Sequence, residues 1–304
     1  FRFPGGAHVM LAVVGYNLGR FQLSIEHTAG RVRAGLRTAA RAAVPTVIWV
    51  GLGVVVFGAY GAGTFFLVNN YVGPPTHRDD YWHFWFVEVF VHLTVITTLL
   101  LAVPAVRRLE RRFSYGFPLA LFVGCLALRL DWADMGDWYN FRYRTHGVAF
   151  FFVLGWLVQR SSTTWQRLAT SAFCLAAPLE FFDNPTREWF IGISLATLVW
   201  LPALPCPRLA MRPFALLASA SMWILITHFT VWPPLVDVAP IGWAYAATIA
   251  CGVVAWFVVE QGTRLGRRAV TAVRAQVRPS MSCASNRARS SSADLASQSA
   301  WNTL

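Results

Sequence analysis

Residues 81–103 read YWHFWFVEVFVHLTVITTLLLAV, an almost unbroken apolar run that carries a carboxylate and an imidazole in its first half. At 1.5 Å per residue, a helix of this length crosses a bilayer core of about 30 Å. An ionisable group at mid-membrane costs about 2.5–3.5 kcal/mol even on lenient insertion scales, so Glu88 must face protein or a water-filled cavity. Trp85, Glu88 and His92 stand at i, i+3 and i+7, one stripe of one helix, so the carboxylate and the imidazole face the same way. That stripe fits a working site, and it equally fits an inter-helix hydrogen bond that only holds a bundle together.

Composition extends the membrane reading to the whole chain. Of 304 residues, 56% are hydrophobic and 13% charged, against about 25% charged in a soluble domain. All 26 basic side chains are arginine and the net charge is +12. Gathered in one stripe, such charge would point to nucleic acid. Here it falls in short clusters between apolar runs, as in cytoplasmic loops, so the expected partner is the lipid bilayer and no nucleic acid. Cys125, Cys174, Cys206, Cys251 and Cys283 are scattered without a C-x-x-C pair and read as small apolar fillers, with no metal site implied. The chain opens at Phe1 with neither an initiator Met nor a signal-peptide pattern, so it is expected to be a piece of a longer protein.

The expected fold is all-α, a polytopic transmembrane bundle of about nine helices. The spans cover about residues 7–22, 43–68, 81–103, 117–130, 147–158, 168–182, 189–204, 214–231 and 241–260. Gly15 and Gly19 in the first have the G-x-x-x-G spacing that admits a second helix at close range. Residues 1–264 form the membrane domain, and 265–304 are a basic, Arg/Ser-rich tail expected to be disordered. Alternating crossings put 19 arginines and three acids on one side, five arginines and eight acids on the other. The positive-inside rule thus places the tail in the cytoplasm and predicts a multi-pass protein of the inner (plasma) membrane.

In this orientation His8, His83, Glu88, Arg129, Asp131, His146, Glu180 and His228 fall toward the outer ends of their helices, with His92 nearer the middle. Convergence at one depth predicts a shared cavity. The ordinary polarity of helix ends accounts for His83, Asp131 and His146, and less well for Glu88, Glu180 and His228 beside long apolar stretches. Glu260, at the inner end of the last span, is expected to pair with a nearby arginine. In SMWILITHFTVWPP (221–234), Ser221, Leu225, His228 and Trp232 share one helix face. A membrane histidine there can serve as base, relay or strut, and spacing leaves these open.

The run SMWILITHFTVWP resembles the S-x-x-x-Y-L-x-H-x-P-V segment of the acyltransferase-3 family of integral membrane acyltransferases, with Ser221, Leu225 and His228 in register. WFVVEQGTRLGRR (256–268) is similar to the family's closing v-E-r-P segment, with Glu260 on its glutamate. WFVEVFV (85–91) resembles W-S-L-x-x-E-x-x-F, with Glu88 on the acidic position. LAVVGYNL (11–18) resembles F-F-v-L-S-G-F-L, and RVRAGLRTAARAAVP (31–45) the basic stretch after it. The likeness covers nearly the whole membrane portion in the family's order. It departs where Val14 replaces Ser, where the arginines are spaced R-x-x-x-R, and where Gln261-Gly262 replaces R-P. The family's first helix, with an arginine and a catalytic histidine about ten residues on, has no counterpart before Leu11.

The resemblance implies acyl transfer from a thioester, acyl-CoA, to a hydroxyl or amine of a carbohydrate, lipid or peptide acceptor. Such chemistry needs a base, oxyanion donors and cations for the donor's phosphates. Glu88, His92 and His228 are the candidate catalytic groups, with His8 the histidine nearest the family's missing base. Arg33, Arg37 and Arg41 suit the phosphates of acyl-CoA, because a guanidinium binds them bidentately; topology alone also explains them. A transporter or flippase of a polar lipid-linked substrate would use buried Glu and His equally well, and a non-catalytic membrane scaffold is the third reading.

Overall fold

The structure is a computed structural model describing residues 6–58, 60–72, 83–129, 142–201, 203, 205–266, 268 and 271. Among these residues the secondary structure is helical throughout, without a strand. The chain divides into two compact units, Phe1–Met211 and Arg212–Leu304.

The first unit holds α1 (Gly6–Asn17), which continues as a π-turn at Leu18–Gln22, α2 (Thr28–Phe57), the short α3 (Ala62–Phe65) and α4 (Asn69–Val72), α5 (Trp85–Leu100) and α6 (Pro104–Arg112). It continues with α7 (Gly116–Arg129), α8 (Thr145–Arg160), α9 (Thr164–Ala176) and α10 (Pro185–Trp200). At its centre lies α8, buried on every side from Gly147 to Val158. A helix apolar all round has no solvent face to offer, and α1 and α7 pack along it. α2 pairs with α5, and α9 with α10. Local signals set the starts of the last two. Thr163 and Gln166 form a capping box on α9, and Asn184 caps α10 just before Pro185.

The second unit is a helix pair. α11 (Arg208–Val236) begins just before the boundary, and α12 (Ile241–Gly266) returns along it. A Cβ on Gly252 would lie 2.4 Å from the Cα of Ile224, so backbones touch where the two helices cross. Trp232 and Tyr245 meet nearer the turn, with ring centroids 4.5 Å apart and planes tilted by 45°.

Among the described residues three helices, α2, α11 and α12, are long and apolar enough to cross a membrane, and a fourth span arises if the bent pair α5–α6 is counted as one. The remaining apolar helices are shorter, at 12 to 16 residues. The expected second span, 43–68, is displaced. Nothing breaks the helix between Thr28 and Pro45, so α2 begins early and takes Arg31, Arg33, Arg37 and Arg41 into itself. It ends at Gly58, whose left-handed φ of 63° lets its N–H reach the carbonyls of Gly53 and Val54. The chain then folds back as α3 and α4 instead of continuing to residue 68. The arginine cluster after α5 is not a loop but α6, bent by 93° from α5 with Pro104 at its start.

One face of α2 records a boundary. Arg33, Arg37 and Arg41 are exposed, and the same face continues as Val44, Ile48, Leu52 and Val55, all exposed, the last to 84%. Guanidinium gives way to aliphatic surface within one turn, as a headgroup layer gives way to hydrocarbon.

Two contacts lock the first unit. Gly15 and Gly155 sit at the crossing of α1 and α8, where a Cβ on either would lie 1.8 or 1.7 Å from the backbone oxygen of Phe152 or Ala12. Gly19, four residues on from Gly15, meets Trp156 and Gln159 of α8, so the G-x-x-x-G spacing does admit a second helix. At the other end, Glu110 is completely buried and accepts from Arg107 and, at 2.6 Å, from Arg160, while Arg107 also donates to the carbonyl of Leu23 at 2.8 Å. Burial, with Arg111, Arg31 and Arg160 close by, holds the Arg107 guanidinium down to about 10.

Gly15→Ala and Gly155→Ala are expected to destabilise the protein by about 1–3 kcal/mol or more through overpacking. Gly124→Ala, which meets open space on α7, should be neutral or slightly stabilising; thermal unfolding in detergent checks all three. Glu110→Gln leaves one buried and one half-buried guanidinium without their counter-charge and should cost about 3–5 kcal/mol in the same measurement, with the exposed Arg108→Gln unchanged.

Candidate functional site

The fold-back after α2 creates a physical difficulty that the candidate site resolves. A short helix inserted among apolar elements presents N–H groups that its own turns cannot satisfy. Asn69 and Asn70 open α4 and are buried. Glu88, in the first turn of α5 and 1% exposed, supplies the acceptor. Its Oε1 takes the Asn70 backbone N–H at 2.6 Å and the Asn70 Nδ2 at 2.8 Å, and the Asn69 N–H also donates to the carboxylate. The other end of the Asn70 amide faces α8, where Oδ1 accepts from the backbone N–H of Thr145 at 2.5 Å and from its hydroxyl at 3.1 Å.

His92, one turn along α5, joins the same network. Its Nδ1 lies 2.9 Å from the Thr145 hydroxyl and its Nε2 2.9 Å from the Leu67 carbonyl. A carbonyl only accepts, so Nε2 carries a hydrogen. In neutral His92, Nδ1 is then an acceptor, and the Thr145 hydroxyl has two places to donate, His92 or Asn70. In the imidazolium, Nδ1–H donates to Thr145 and the hydroxyl turns to Asn70. Charge on His92 and the bond that braces Glu88's partner are thereby linked through one hydroxyl. Leu67, held by His92, has a left-handed φ of 55°, an uncommon state for a residue with a branched side chain.

The stripe of Trp85, Glu88 and His92 therefore exists, but its members reach different neighbours. Trp85 packs on His8 and Tyr143, with ring centroids 5.3 and 5.2 Å away. His8 on α1 is wholly buried among Trp85, Phe151, Phe181 and Phe182; its Nε2 lies 3.5 Å from the Arg142 carbonyl and its Nδ1 meets no polar group. It stands in an aromatic box, outside the hydrogen-bonded chain of Glu88 and His92.

The expected single chamber gives way to separate local arrangements in the first unit. Arg129 is buried, donates to the carbonyls of Ala177 and Leu179, and lies over the rings of Phe150 and Phe181. Glu180, expected to be buried beside an apolar stretch, is exposed, because the chain leaves α9 at Ala176 and turns through a left-handed φ of 57° there. Asp131 and Cys283 lie outside the described residues, as does most of the 265–304 tail. In the second unit, His228 stacks on Trp232 at 5.7 Å, and Ser221 is exposed with its hydroxyl donating to the Ala218 carbonyl at 2.9 Å. Glu260 pairs with Arg264 at 3.0 Å on the exposed side of α12, as expected of a surface pair of small energetic weight.

The expected phosphate ligands Arg33, Arg37 and Arg41 form one exposed file on α2, whereas the neighbouring Arg31 turns inward to the carbonyls of Ile25 and Glu26 and the hydroxyl of Thr28. Among the described residues no group of three or more His, Cys, Asp or Glu side chains is placed to hold a metal ion. Sequence reasoning missed Asn69, Asn70 and Thr145. The signal was present in FFLVNNYV (65–72), where two adjacent carboxamides interrupt an apolar run and need partners of their own.

Compared with known proteins, the chain matches no family model, no curated protein and no solved structure.

Asn70→Ala removes the bridge and leaves Glu88 with fewer donors. Amide hydrogen exchange across 67–72 is expected to rise at least tenfold relative to α8, which keeps its own ladder; unchanged protection would show that the segment is held by packing alone.

Proposed function

We propose that the chain is a polytopic inner-membrane acyltransferase of about nine transmembrane helices, moving an acyl group from acyl-CoA to a hydroxyl or amine of an extracytoplasmic or lipid-linked carbohydrate, lipid or peptide. The observation that carries the reading is the buried chain Glu88, Asn70, Thr145 and His92, because it unites a carboxylate and an imidazole on the stripe that resembles the family's acidic element. The likeness of the stretches around Leu11, Arg31, His228 and Glu260 supports it.

The chemistry assigned to these groups is simple. The acceptor's O–H or N–H gives its proton to a base as the heteroatom attacks the thioester carbonyl, and the tetrahedral oxyanion collapses with loss of the CoA thiolate, which takes up a proton. Neutral His92 offers Nδ1 as the basic atom, and since the Thr145 hydroxyl occupies it, the acceptor's proton would reach it through that hydroxyl. Glu88 holds Asn70 and so orients Thr145. His228 is the second candidate base, on the strength of the S-x-x-x-L-x-x-H register of Ser221, Leu225 and His228, and His8 the third. The exposed file of Arg33, Arg37 and Arg41 would meet the donor's phosphates.

A second reading, a transporter or flippase of a polar lipid-linked substrate, is favoured by one feature. The fold-back of α3 and α4 is a broken helix whose N–H groups end on a buried carboxylate, the kind of element that gates many secondary transporters.

In proteoliposomes supplied with labelled acyl-CoA and a candidate acceptor, Glu88→Ala and His228→Ala should each lower transfer by about 100-fold or more while the protein remains inserted. Wild-type turnover in both variants would remove these residues from the reaction. Transbilayer movement of a lipid-linked substrate without acylation would favour the second reading.

A further inference from the structure

A cavity of about 600 Å³ adjoins the network on the α2 side of His92. α2 contributes Ala43 and Val47 to it, α5 contributes His92, Val95 and Ile96, and the opposite wall is the run 65–68 that leads into α4. The volume lies in the range of small-molecule sites, about 300–1,000 Å³, and the space is open on one side.

The lining decides what fits. His92 is its one imidazole, and both ring nitrogens are already engaged, by Thr145 and by Leu67. Around it, Tyr71 brings one phenolic hydroxyl, on a residue that is 69% exposed, and the other side chains of the lining are aliphatic or phenyl groups without donor or acceptor. Water entering such a space would find, beyond the Tyr71 hydroxyl, too few of the two to four partners it requires, and a charged ligand would be left without a counter-charge. The rim is continuous with the apolar exterior. Phe66 is 68% exposed and Ile96 52%, and on α2 the exposed Val44 and Ile48 stand beside Ala43 and Val47. One wall is fixed in an uncommon shape, since Leu67 keeps its positive φ while His92 holds its carbonyl.

We propose that this cavity is a binding slot for a single alkyl chain of a membrane amphiphile, entered from the lipid side past Phe66 and Ile96. The inference concerns binding and not turnover, so it stands or falls apart from acyl transfer. Glu88 and His92 thereby shape a lipid site as well as bracing α4, because the segment they hold is the wall of the slot.

The full chain in phosphatidylcholine vesicles, labelled with a trace of palmitic acid bearing a mid-chain diazirine and then irradiated, tests the proposal. Crosslinks are expected to concentrate on 65–71 and 91–96 and to fall at least tenfold with excess unlabelled palmitic acid. Val47→Trp, which fills the slot, should give the same tenfold loss, while Leu217→Trp on α11 should not. If Val47→Trp fails to accumulate, Ala43→Leu takes its place and should lower labelling at least threefold. Labelling spread over the exposed faces of α2, α11 and α12, insensitive to competitor and to the filling variant, would overturn the proposal and show ordinary contact with bulk lipid.

Discussion

A carboxylate with 1% exposure, placed among aliphatic and aromatic side chains, cannot remain without donors, and much of the arrangement of α3, α4 and α5 follows from where Glu88 finds them. It finds them on Asn69 and Asn70. That choice fixes the fold-back after Gly58, since a helix start is wanted where the acceptor lies. It also turns Asn70 so that its carbonyl end faces Thr145, which joins α5 to the central α8. The carboxylate and the N–H groups of α4 answer each other: each would be a destabilising buried polar group alone. A buried pairing of this kind contributes specificity of arrangement more than net stability.

The opposite end of the unit obeys a different constraint. There the buried anion is Glu110, and its partners are cations from α6 and α8. Arg107 reaches past Glu110 to the Leu23 carbonyl, so the segment between α1 and α2 is tied down by the same group. The bend between α5 and α6 makes this possible by laying the arginine-rich helix across the end of the bundle, with Arg108, Arg111 and Arg112 left exposed. The two ends thus divide labour, amide and hydroxyl chemistry at one and guanidinium chemistry at the other.

The sequence made the apolar runs, the burial of Glu88 and the close approach at Gly15 and Gly19 legible, because each follows from a local count of polar and small residues. It did not reveal what those residues meet. Gly155 lies within a run that reads as one more short span, and only the crossing with α1 shows why it lacks a side chain. The start of α2 was misplaced because clustered arginines read as a loop, although arginine is a good helix former and nothing before Pro45 interrupts the helix. Convergence in depth of His8, Glu88, Arg129 and Glu180 does not amount to convergence in space. Depth along a bundle axis says nothing about azimuth, and the structure gives His8 an aromatic box, Arg129 two carbonyls and Glu180 an exposed turn.

The meeting of α1 and α8 at Gly15 and Gly155 has a mechanical meaning. With the backbone of each helix seated against the other and no side chain between, neither can slide or rotate without backbone colliding with backbone. The pair is a fixed post. Whatever movement the first unit undergoes must be taken up by elements that no such backbone-to-backbone seat holds, and the fold-back, latched through the side chains of Glu88, Asn70 and His92, is one of them.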